Sequence, residues 1–158
     1  MPRLRNIPDR ELAIVIRREA GRYATAADTL ADRSELDLTH PCYFLRCHAI
    51  ELLLKATLLA TGSSLAEVET YNHDLIRALK DAKERGLAIS EETAQTVQQL
   101  SGLHRRHQFR YLKSSKFEVP FAIAYPNDEI SRRSLKDLLD QSAVFIRAAM
   151  RSGTTPKA

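Results

Sequence analysis

Residues 41–62 read Pro-Cys-Tyr-Phe-Leu-Arg-Cys-His-Ala-Ile-Glu-Leu-Leu-Leu-Lys-Ala-Thr-Leu-Leu-Ala-Thr-Gly, the most apolar run in the chain. His48, Glu51, Lys55 and Leu59 step through it by three and four. That spacing aligns side chains along one face of a helix. Phe44, Leu45, Leu52, Leu53, Ala56 and Leu58 cover most of the remaining surface. A helix apolar nearly all round is a central one, packed on several sides. Charges on it must be paired or face a cleft, because an isolated buried ion costs several kcal/mol.

The rest of the chain suits such a helix. Its 158 residues are enough for one domain with a proper core. Glycine and proline are few, while Leu, Ala, Arg and Glu are plentiful, which favours an all-α fold. A net charge of +4 allows an acidic partner such as nucleic acid without requiring one. Cys42 and Cys47 fall on different sides of the same helix, so no disulfide between them is expected. Two buried thiols fit a reducing, cytoplasmic setting. No apolar segment is long and uncharged enough to span a membrane. The basic start, Met-Pro-Arg-Leu-Arg-Asn-Ile-Pro, has no apolar core behind it and does not read as a signal peptide.

The patterning predicts an up-and-down bundle of about five helices with a short extended arm before the last one. The domain spans 8–152, after a basic lead-in over 1–7 and before a flexible tail over 153–158. The first helix covers about 8–32, with Leu12, Val15, Ile16, Ala20, Tyr23, Ala27 and Leu30 inward and Arg17, Arg18, Arg22 and Asp28 on a solvated face. Thr39 is the expected cap of the central helix, and Gly62 its stop. A single helical turn is expected around Leu65–Val68. The third helix starts near Asn72 or His73, buries Leu75, Ile76, Leu79 and Ala82, and ends at Gly86. Ser90 caps the fourth, which turns Ala94, Val97, Leu100 and Leu103 or His104 inward and runs to about Leu112. Alternation of Phe117, Val119, Phe121, Ile123 and Tyr125 marks the extended arm. Asn127 caps the last helix, whose apolar face carries Leu135, Leu138, Leu139, Phe145 and Ile146.

Three groups of residues could carry chemistry. The first is His48, Glu51 and Lys55. Glu51 and Lys55 have the favourable orientation for an ion pair, and either they neutralise each other inside the bundle or they line a groove with His48. The second is the run His104-Arg105-Arg106-His107-Gln108-Phe109-Arg110-Tyr111. Cations simply favour a helix C-terminus. Yet arginines that hold phosphate, aromatics that stack on bases and histidines that move protons are also the parts of an RNA-binding or RNA-cleaving surface. The third is His73-Asp74 at a helix start, where His73 either packs or lines the same cleft. There is no Cys-x-x-Cys, His-Glu-x-x-His, Gly-rich phosphate loop or Gly-x-Ser-x-Gly elbow, so neither a metal site nor a cofactor is expected.

His-Ala-Ile-Glu-Leu-Leu-Leu-Lys-Ala (48–56), Gly62, His-Asp-Leu (73–75) and His/Arg residues leading into Arg110-Tyr111 resemble the HEPN superfamily over roughly residues 10–150. The resemblance implies a four- or five-helix bundle that dimerises. In its active members the dimer cleft cleaves RNA without a metal. It also implies a toxin–antitoxin, phage-defence or RNA-processing setting, with an antitoxin or a nucleotidyltransferase as partner. The family's catalytic signature is an Arg followed four to six residues later by a His on the fourth helix. Here Arg105 and Arg106 directly precede His107, and the only Arg-x6-His, Arg33 to His40, lies before the central helix. Two readings therefore stand. In one, His107 or His104 is the acid/base, Arg106 contacts phosphate, Arg105, Arg110 and Tyr111 bind nucleic acid, and His48, Glu51, Lys55 and His73 line the cleft. In the other, the protein is an inactive dimerisation or binding module for a protein or nucleotide.

Overall fold

The computed structural model describes residues 7–33, 35–105 and 125–152. It is an all-α bundle of α1 (Asp9–Ala31), α2 (Thr39–Ala60), α3 (Leu65–Glu69), α4 (Leu75–Glu84), α5 (Glu91–Arg105) and α6 (Asp128–Ser152). Among the described residues there is no strand. The expected single turn near Leu65 is the short α3. The extended arm lies outside the described residues except for Tyr125, as does the stretch from 106 to 112 expected to continue α5.

The helix ends follow from local chemistry. The α2 stop is a six-residue wrap: Ser63 N–H donates to Leu58 C=O and Gly62 N–H to Leu59 C=O, both at 3.1 Å. Gly62 takes φ +101°, which glycine adopts without a Cβ penalty. The same wrap closes α4, where Gly86 has φ +103° and Leu87 N–H reaches Ala82 C=O at 3.0 Å. Two expected starts shift. Thr39 is the first helical residue of α2 rather than its cap, and Leu38 takes the cap position with no side-chain hydrogen bond. Pro41 fits this start because its missing N–H falls among the donors a first turn leaves unpaired anyway. On α4 the cap is Asp74, which accepts from Arg77 N–H at 3.1 Å, so His73 sits in the preceding turn rather than in the helix. Ser90 caps α5 by accepting from Thr93 N–H at 3.1 Å, and Asn127 caps α6 by accepting from Ile130 N–H at 3.2 Å.

α2 is the central element. It packs against every other helix, most extensively against α1. Leu53, Leu54, Leu58 and Leu59 are buried along it, facing partners such as Ala20 and Ala24 of α1, Leu79 of α4, Leu100 of α5 and Leu138 of α6. Small alanines on α1 permit that close approach. Ile76, expected inside, is 49% exposed, and Ala78 takes its place in the buried stripe of α4. Leu75, Leu79 and Ala82 stay inward as expected, and Ala78, three residues after Leu75, lies on that same helix face.

α6 re-enters the bundle against the start of α2. Tyr125 stacks on Tyr43 with ring centroids 4.6 Å apart, and its hydroxyl meets His40 Nδ1 at 3.0 Å. The Tyr43 hydroxyl donates to Pro126 C=O. Asp28, expected on a solvated face, is instead part of an ion network joining three helices, described below.

Candidate functional site

Two elements converge on the C-terminal half of α2. Glu51 projects from α2 toward the start of α4 and the end of α5. The turn before α4 contains Asn72 at φ +48°, a left-handed conformation that Asn tolerates, and the next residue is His73. His104 follows Val97 and Leu100 on the inner stripe of α5, so helical periodicity carries it inside.

At this junction one carboxylate serves three donors. Lys55 Nζ donates to Glu51 Oε1 at 2.6 Å. His104 Nε2 and His73 Nδ1 share Glu51 Oε2 at 2.7 and 3.0 Å. The two imidazoles stand edge to face, 5.1 Å between centroids. Glu51 is 5% exposed, His104 4%, and the His73 side chain 25%. Burial alone would raise the Glu51 pKa, but hydrogen bonds from His104, His73 and Lys55 outweigh it and hold the carboxyl well below its usual range. An ionised carboxylate only accepts, so both ring nitrogens facing it are donors.

The structure thus brings together Glu51, Lys55, His73 and His104. It does not bring His48 to them. That ring packs edge-on against Tyr23 of α1, 4.5 Å between centroids, and lies parallel to Phe44. Three residues on, Glu51 falls roughly 60° short of a full turn, so the two side chains are offset round the helix, and Glu51 meets the turn before α4 and the end of α5 instead. Arg105 is the last residue of α5, and its side chain, like Arg106, His107, Arg110 and Tyr111, lies outside what is described. Cys42 and Cys47 are free and buried. Burial pushes both thiols up, which makes neither a ready nucleophile.

A second polar cluster escaped the sequence reading. Arg46, within the apolar run, is fully buried. Its guanidinium places Nη1 2.7 Å from Asp128 Oδ1 of α6 and Nη2 3.8 Å from Asp28 Oδ1 of α1. Arg132 extends the network to Asp128 at 2.9 Å and Asp32 at 2.8 Å. Burial opposes ionisation of Asp128, but Arg46 and then Arg132 lower its pKa overall. The signal was present: an Arg in an apolar helix requires carboxylate partners.

The donor atoms of Glu51, His73 and His104 all lie within 4.8 Å of one another, a set that could also hold a metal ion. No spacing motif announced it, because each donor comes from a different element. Compared with protein-family models, curated proteins and solved structures, the chain matches none.

Proposed function

We propose that this protein is a HEPN-like RNA-binding module whose contact surface is the end of α5 and the basic segment 105–111 that continues it. The observation that supports this most is the buried 2.7 Å bond from His104 to Glu51, one residue before the first arginine of that segment. The His104–Glu51 bond fixes the end of α5 directly before the first arginine, and a root held in place in advance lowers the ordering cost met on binding. Arg105, Arg106 and Arg110 then supply phosphate contacts, and Phe109 and Tyr111 supply stacking surfaces. A homodimer, and an antitoxin or nucleotidyltransferase partner, belong to the same reading through the family resemblance.

A second reading, metal-independent cleavage, draws on His73. A histidine oriented by a carboxylate and partly exposed is the arrangement that acid–base chemistry uses. His104 is too deeply buried to serve except as a root, so His107 and His73 carry the proton transfers in this version.

Both are tested on RNA. Binding of a labelled single-stranded RNA pool, followed by anisotropy at low salt, weakens in Arg105→Ala/Arg106→Ala/Arg110→Ala, and the salt dependence flattens by about 0.7 slope units per lost phosphate contact. Wild-type protein that fails to bind RNA at low salt removes both readings. Cleavage in EDTA that disappears in His107→Ala supports the second, and intact RNA at every pH leaves the binding module.

A further inference from the structure

We propose that Glu51, His73 and His104 form a binding site for a divalent transition metal of the zinc type. This goes beyond the RNA reading and does not depend on it.

The donor set is one carboxylate oxygen and two imidazole nitrogens. That combination suits zinc and its borderline neighbours, and differs from the all-oxygen sets that Mg²⁺ and Ca²⁺ take. The spacing fits as well. Ligands about 2.1 Å from a tetrahedral ion lie roughly 3.4 Å from each other. Here the two nitrogen–oxygen separations are 2.7 and 3.0 Å, so Oε2 needs to draw back from the two nitrogens by well under about 1 Å, and all three donor atoms already lie within 4.8 Å of one another.

Rigidity favours the same conclusion. Glu51 stands on the central helix, His104 on the buried stripe of α5, and His73 in a turn fixed by the Asp74 cap. A site held by separate packed elements is largely formed before the ion arrives. Lys55 stays on Oε1, away from the Oε2 edge that the histidines share. Its charge limits affinity, so the ion is one that exchanges rather than one locked into the fold.

Binding exchanges hydrogen bonds for coordination. Each ring nitrogen that now donates to Oε2 must present a lone pair instead, either by moving its proton to the other ring nitrogen or by releasing it to solvent. Affinity therefore falls as the pH is lowered and protons compete for the same atoms.

The test is a titration of full-length protein with Zn²⁺, and with Co²⁺ as a spectroscopic substitute, without RNA. Wild-type protein takes up one equivalent, gains thermal stability with Zn²⁺, and shows visible Co²⁺ bands of low coordination number. His73→Ala, at the most exposed of the three positions, and the near-isosteric Glu51→Gln each stay folded by circular dichroism and weaken binding about tenfold or more. His40→Ala, a histidine remote from the cluster, binds as wild type. Absence of the Co²⁺ bands in wild type, or their survival in His73→Ala and Glu51→Gln, overturns the proposal.

Discussion

At Glu51 two carboxylate oxygens serve Lys55, His73 and His104. Removing the side chain strands a half-buried ammonium and a buried imidazole. Glu51→Ala is therefore expected to cost about 3 kcal/mol, read as a lowered urea midpoint. The pH dependence has a definite sign. The folded pKa lies below the ordinary value of 4.5, so the contribution is complete above that value and is lost as the pH falls below it. Glu51→Gln cannot titrate, and its stability gap from wild type should narrow between neutral pH and about pH 3. The Glu51–Lys55 pair was legible in the sequence because four residues is a local helical distance. The two histidines were legible as candidates but not as partners, because only packing joins positions 22 and 53 residues away. His48 shares the helix face in the sequence, yet its ring packs on Tyr23 and Phe44, because periodicity gives the helix face and not the neighbour that covers it.

The helix ends were the best-read elements. Gly62 and Gly86 both take positive φ at the stops the sequence indicated. At Gly86 a Cβ would also meet Phe145 Cε2 at 3.4 Å. Gly86→Ala should lower stability by about 1 kcal/mol in thermal melts, chiefly through backbone strain. Two helix starts were read less well, since Leu38 rather than Thr39 takes the cap position of α2, and α4 begins only after Asp74 rather than near Asn72 or His73. Between elements, Arg46 ties α2 to α1 and α6, and its loss and the loss of its partner differ in consequence. Asp128→Ala leaves a fully buried guanidinium with the longer contact to Asp28 and the face of the Tyr43 ring 5.1 Å away, and should cost about 2 kcal/mol. Arg46→Met removes the buried charge and leaves half-exposed carboxylates that keep Arg132, and should cost less than about 1 kcal/mol. Chemical denaturation of the two variants side by side measures the difference.

For the whole molecule, the all-α bundle around residues 41–62 was legible because an all-round apolar helix has few other ways to be covered. No helix among the described residues is long and apolar enough to cross a membrane. The order of assembly follows from where the contacts lie along the chain. α1 and α2 are neighbours in sequence and share the largest interface, so they pair at little loop-closure cost. The Glu51 cluster needs the turn before α4 and the end of α5 already in place, which makes it a late latch. Glu51→Gln should accordingly speed unfolding while leaving the refolding rate nearly unchanged in stopped-flow chevrons. The cluster then sets how long the native state lasts more than how quickly it forms.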